Sequence, residues 1–111
     1  MAEITVCAVD DVKPGAARRF DVDGLRLCVV HVDADGCGDG KEWHVVGDRC
    51  SHADYSLSEG ELWSGECEIE CPQHGSTFSL LTGEPQSFPA TQPVPVYPVH
   101  VDGDAVIVEL P

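Results

Sequence analysis

The sequence predicts an all-β, antiparallel fold. Three observations carry that reading: short runs rich in Val, Ile and Leu, Asp-Gly dipeptides standing before two of them, and the lack of any sustained helical period. The first run, 4–9, opens on Ile4 and Val6. The second, 25–32, follows Asp23-Gly24, a strong hairpin dipeptide because both residues tolerate positive φ. After it, Asp33-Ala34-Asp35-Gly36-Cys37-Gly38-Asp39-Gly40 looks like a calcium loop. Cys37 and His44, however, stand where an EF-hand needs an oxygen ligand and its final Glu, so a Gly-rich hairpin tip is expected. The run 43–46 comes next. Ser56-Leu57-Ser58-Glu59 has capping-box spacing, but Gly60 leaves room for one turn at most. The run 67–71 precedes a stretch with Pro85, Pro89, Pro93, Pro95 and Pro98, which lack amide donors and belong on an extended edge or in a loop. The runs 96–101 and 105–110 flank Asp102-Gly103, a second hairpin signal.

A chain of 111 residues, 42% hydrophobic, supplies one modest core, so a single domain over 1–111 is expected. Its opening, Met1-Ala2-Glu3-Ile4-Thr5, lacks the basic start and apolar run of a secretory signal, and no apolar stretch is long enough to span a bilayer. A cytoplasmic location is the resulting expectation. In a reducing compartment the six cysteines favour metal or redox use over structural disulfides. The formal charge of -14 disfavours nucleic acid and anionic membranes as partners and favours basic protein surfaces.

Two half-sites stand out, Cys50-Ser51-His52 and Cys71-Pro72-Gln73-His74. Each pairs a thiolate with an imidazole, and turn-forming residues, Gly47-Asp48-Arg49 and Pro72 with Gly75, embed them in loops. Tetrahedral zinc accepts two cysteines and two histidines. A zinc finger, however, groups Cys with Cys and His with His on a hairpin and a helix, whereas this chain interleaves them and offers no such helix. Cys-x-His followed after 18 residues by Cys-x-x-His resembles the Rieske signature, in which two histidines replace two cysteines on one iron of a 2Fe-2S cluster. The resemblance continues through Cys71-Pro72-Gln73-His74-Gly75-Ser76-Thr77-Phe78 and Thr82-Gly83.

The resemblance implies one Rieske-type 2Fe-2S cluster, with Cys50 and Cys71 on one iron and His52 and His74 on the other. It also implies a Rieske-like antiparallel fold: a β-sandwich or barrel-like base, 1–45 and 84–111, with a cluster-binding subdomain, 46–83, inserted. The expected function is that of a soluble, monomeric one-electron carrier, itself no enzyme. It would take electrons from a flavoprotein ferredoxin reductase and pass them to a terminal, ring-hydroxylating non-heme iron oxygenase. Service to iron-sulfur cluster assembly or another redox pathway is the alternative, and a zinc-stapled structural module is a further one. With two neutral imidazoles the oxidised centre carries about zero charge, which suits potentials of roughly -150 to +300 mV against about -400 mV for plant-type ferredoxins.

Respiratory Rieske proteins add a disulfide between the cluster loops and hydroxyl donors to the cluster. Here Tyr55 and Gln73 stand at the bridging positions, Ser76 matches one donor and Phe78 replaces the other, a tyrosine. Fewer donors and a strongly acidic chain place the expected potential in the lower half of that range. His31, His44 and His100 are read as structural or surface residues, and Cys7, Cys28, Cys37 and Cys67 as free thiols, Cys67 pointing inward with Ile69. Trp63, at a predicted hairpin end near the cluster loops, is read as a packing residue, with shielding of the cluster or part of a docking face as the alternative. Phe88-Pro89 resembles the family's proline-bearing loop over the cluster.

Overall fold

The computed structural model describes residues 2–32, 42–50, 55–63, 66–72, 75–86 and 92–110. Its strands are β1 (Ala2–Ala8), β2 (Ala16–Val22), β3 (Leu25–His31), β4 (Trp43–Gly47), β5 (Leu62–Trp63), β6 (Glu68–Glu70), β7 (Thr77–Ser79), β8 (Val96–Tyr97), β9 (Val99–Asp102) and β10 (Ala105–Leu110). They form three sheets, ordered β1-β10-β9, β2-β3-β4-β8 and β5-β6-β7, and every strand pairing is antiparallel. The all-β antiparallel expectation therefore holds.

Both predicted Asp-Gly signals fall at two-residue hairpins, with Asp23-Gly24 as the central pair of the first and Gly103-Asp104 as that of the second. Asp23 and Gly24 take φ of 51° and 79° between Val22 and Leu25, and Gly103 takes φ of 63° between the paired Asp102 and Ala105. Positive φ at both central residues of the first turn, and at the first central residue of the second, matches the right-handed twist of the flanking strands. The Gly-rich segment 33–40 lies outside the described residues. Its flanks nevertheless pair as a hairpin, His31 opposite Trp43, and the Val32 amide donates to the Glu42 carbonyl at 2.8 Å.

The middle sheet is buried on both faces. Leu27, Val29 and Val45 pack with Val106, Val108 and Leu110 of β10 on one side. Cys28, Val30, Val32 and Val46 pack with Leu57, Ile69, Phe78 and Leu80 on the other. Because side chains alternate across a strand, a strand covered on both faces must be apolar at every position. This accounts for the unbroken run Leu27-Cys28-Val29-Val30.

Four features depart from the expected pattern. β2 was not among the predicted runs: it is an edge strand whose Arg18 and Arg19 face solvent, and its register with β3, not apolar alternation, defines it. β5 and β7, of two and three residues, are too short for a period to register. The run 96–101 divides at Pro98, whose missing amide ends β8 before β9 begins. The run 67–71 shrinks to β6, since Cys67 lies in the preceding turn with φ of 56°. As expected, Leu57–Glu59 forms a single 3-10 turn. Ser56 makes no side-chain cap; its hydroxyl oxygen accepts from Arg26 Nη2 at 3.1 Å.

Candidate metal centre

The two predicted cysteine loops share one construction. The Cys50 amide donates to the Tyr55 carbonyl at 2.9 Å, and the Cys71 amide donates to the Ser76 carbonyl at 2.7 Å. Each cysteine thus opens a loop that its own backbone closes five residues later. In the second loop the Gly75 amide also reaches back to the Cys71 carbonyl at 3.1 Å, with φ of 74°, a conformation that glycine adopts without strain. His52 and His74 belong to these two loops by sequence but lie outside the described residues.

Cys50 is 1% exposed and Cys71 fully buried; neither is in a disulfide, and both belong to the core shared by the middle sheet and β5-β6-β7. Two soft sulfur donors in one apolar core, each at the mouth of a closed loop, suit an iron-sulfur centre. Ser76 is fully buried. Phe78 is also fully buried, paired with Ile69 across the sheet. Tyr55 occupies one of the positions where a respiratory-type clasp would need cysteine; the other, Gln73, lies outside the described residues.

A buried carboxylate anchors the first loop. Asp48 is fully buried, and its Oδ1 accepts the Ser58 amide at 2.7 Å while its Oδ2 accepts the Ser58 hydroxyl at 3.1 Å. Arg19 Nε stands 4.0 Å from the same carboxylate. The Cys28 thiol, pushed well up first by burial and then by the Asp48 charge, also hydrogen-bonds it. Asp48 therefore joins β2, β3, the Cys50 loop and the 57–59 turn through one charged group. Sequence reasoning noted Asp48 only as a turn former, since nothing local signals that its side chain turns inward. Gly60 carries a second anchor. A Cβ there would sit 1.6 Å from the Glu70 carbonyl oxygen, so only glycine lets the chain pass the end of β6, one residue before Cys71.

The remaining histidines are structural or at the surface, as expected. His31 Nδ1 lies 2.8 Å from the Val12 carbonyl and its ring stacks on Trp43 at 4.0 Å; His44 is buried on β4; His100 is exposed, 3.9 Å from Glu3. Two expectations fail. Cys67 does point inward, 7% exposed, but it is disulfide-bonded and not a free thiol. Strand parity fixes which face a side chain takes, whereas the sulfur beside it is chosen by tertiary contact. Trp63 is 42% exposed and so is not a packing residue. Cys37 and Phe88-Pro89 lie outside the described residues, while Cys7 and Cys28 are free and buried.

A small β protein with two cysteine-headed loops converging on one core is the class that this fold and site define. The Rieske [2Fe-2S] domain matches residues 2–98, and the chain belongs to that family. A Rieske-type 2Fe-2S cluster is accordingly its cofactor. Along its whole length the chain is 39% identical to the ferredoxin subunit of 3-phenylpropionate/cinnamic acid dioxygenase from Shigella boydii, 96% of which it covers. Its fold matches the ferredoxin of carbazole 1,9a-dioxygenase from Nocardioides aromaticivorans with a TM-score of 0.85 and 36% identity, over 97% of both chains. A structure described as a complex of reduced oxygenase and oxidized ferredoxin in carbazole 1,9a-dioxygenase matches at TM-score 0.78 and 38% identity, over 96% of this chain and 91% of that one. No helix among the described residues is long and apolar enough to cross a membrane.

Proposed function

We propose that this chain is a monomeric, cytoplasmic, non-catalytic electron carrier that receives single electrons from a flavoprotein reductase and delivers them to the terminal oxygenase of an aromatic-ring dioxygenase system. In this reading Cys50 and Cys71 hold one iron of the cluster, and His52 and His74 the other. Residues 46–83 form the cluster-binding subdomain on a base of 1–45 and 84–111. The observation that carries the reading is the pair of matched loops, each headed by a buried cysteine, outside any disulfide, whose amide closes it. Full-length likeness to a dioxygenase ferredoxin subunit supports the choice of acceptor, as does the solved oxygenase–ferredoxin complex of a relative.

Held by these four residues, the cluster supplies one reversible electron without carrying a large charge in either state. The chain's own contribution is positional. Asp48 and Gly60 fix where the two loops leave the fold, and the closing hydrogen bonds hold Cys50 and Cys71 inside an apolar core that keeps water off the sulfurs.

The test is an electron paramagnetic resonance spectrum of the dithionite-reduced protein, with iron, sulfide and zinc assayed on the same sample. A rhombic signal whose average g lies below the free-electron value, with two irons per chain, is expected. One zinc per chain and a silent spectrum, persisting after anaerobic reconstitution with iron and sulfide, would overturn the reading in favour of a zinc-stapled module.

A further inference from the structure

The outer face of the β5-β6-β7 sheet combines an exposed aromatic ring with carboxylates for which no ion pair is found among the described residues. Leu62, Ile69 and Phe78 are in register and turn inward. On the outward side Trp63 stands opposite Glu68. Glu61 and Glu70 make the next rank, joined by the bond from the Glu70 amide to the Glu61 carbonyl at 2.8 Å. Trp63 Nε1 donates to Glu70 Oε1 at 3.0 Å, which fixes the indole among the carboxylates while leaving it 42% exposed. Glu66, in the turn between β5 and β6, is exposed beside them.

The charge around this face is one-sided. No lysine or arginine follows Arg49 in the sequence. The ion pairs among the described residues, Arg19 with Asp21 and Asp48 and His100 with Glu3, all lie on other elements. The face also runs up to the metal centre, since Glu70 directly precedes Cys71. Uncompensated carboxylates draw a positive surface and speed its encounter. An exposed indole prefers a guanidinium or ammonium group against its ring. Both features select the same occupant.

We propose that this face docks a lysine- and arginine-bearing surface of a protein redox partner, with Trp63 as the stacking anchor, beside the loops that carry His52 and His74. That the partner is a redox protein rests on the electron-carrier reading; the docking face itself is tested by binding.

Cytochrome c, a lysine-rich haem protein, serves as the probe, and its association with the holoprotein is measured by calorimetry at low and at physiological ionic strength. The Glu61→Gln/Glu68→Gln/Glu70→Gln variant is expected to weaken association about tenfold at low salt and to flatten its salt dependence. Trp63→Ala is expected to weaken it about threefold. Removing as many charges from the far sheet, by Glu3→Gln/Asp104→Asn/Glu109→Gln, should change it less than about twofold. Equal weakening by the two triple variants would overturn the proposal in favour of net charge alone, as would no weakening by the first. Should the first triple variant fail to fold, Glu61→Gln/Glu66→Gln, which leaves β6 unchanged, carries the same test. Spectra and iron content are recorded for every sample. Localised binding in a protein without a cluster would sink the carrier reading and leave the docking face standing.

Discussion

The middle sheet is covered on its two faces by layers of very different strength. On one side β1, β10 and β9 bring strands of seven, six and four residues, and β10 drives Val106, Val108 and Leu110 into the core. On the other, β5, β6 and β7 bring two, three and three residues, and the core there includes Cys50 and Cys71 themselves. Strands that short do not stand alone. What fixes the smaller layer is its packing on β3 and β4, the Asp48 and Gly60 anchors and the disulfide at Cys67, to which the proposed ligand set would add the cluster. The long-stranded layer is a framework, and on the proposed ligand set the short-stranded one is a mount that the cofactor would complete.

The largest expected effect tests that contrast directly. In cluster-free protein, hydrogen exchange at the amides of Ile69, Phe78 and Leu80 should accelerate at least about a hundredfold, while those of Val29, Val45 and Val108 change little. Simultaneous loss of protection in both layers would break the comparison and make the chain one cooperative unit. Next comes Gly60→Ala, which sets a methyl group against the Glu70 carbonyl. It should cost about 3 kcal/mol or more in denaturant unfolding and lower the iron content on purification.

Asp48→Ala should cost about 2–3 kcal/mol, because it strands the Ser58 donors and the Cys28 thiol in a dry interior. Asp48→Asn, which keeps an acceptor for Ser58, should recover part of that loss. If both variants match the parent in urea unfolding, the carboxylate is no anchor.

The smallest effect belongs to the framework. Burial first, and then the Asp11 charge, pushes the Cys7 thiol up from 9.0 to about 11. Between those pH values the unfolded chain has given up a proton that the folded chain retains. Stability therefore falls as pH rises from 9 toward 11 and levels above it. Cys7→Ala should remove about 1 kcal/mol of this alkaline loss, read as a shallower dependence of the unfolding midpoint on pH.

Much of this was legible beforehand because it is written in local chemistry. The Asp-Gly turns require their backbone wherever they fall, the double-sided burial of β3 shows as an unbroken apolar run, and the interleaved Cys and His spacing marks the Rieske family. β5 and β7 were not legible, since two or three residues carry no period. Nor was the pairing of Cys67, nor the exposure of Trp63, which depends on whether another element covers its sheet.

The sequence alone determined the all-β class, the two hairpin turns and the family signature that Cys50 and Cys71 head, because propensity, turn geometry and motif spacing act within a few residues. Only the tertiary structure decided that Asp48 turns inward to tie four segments together, that Gly60 must pass beneath the Glu70 carbonyl, and that Trp63 faces outward among carboxylates. Those outcomes depend on what lies across from each residue in space, ten or more positions away along the chain for Asp48 with Ser58 and Gly60 with Glu70.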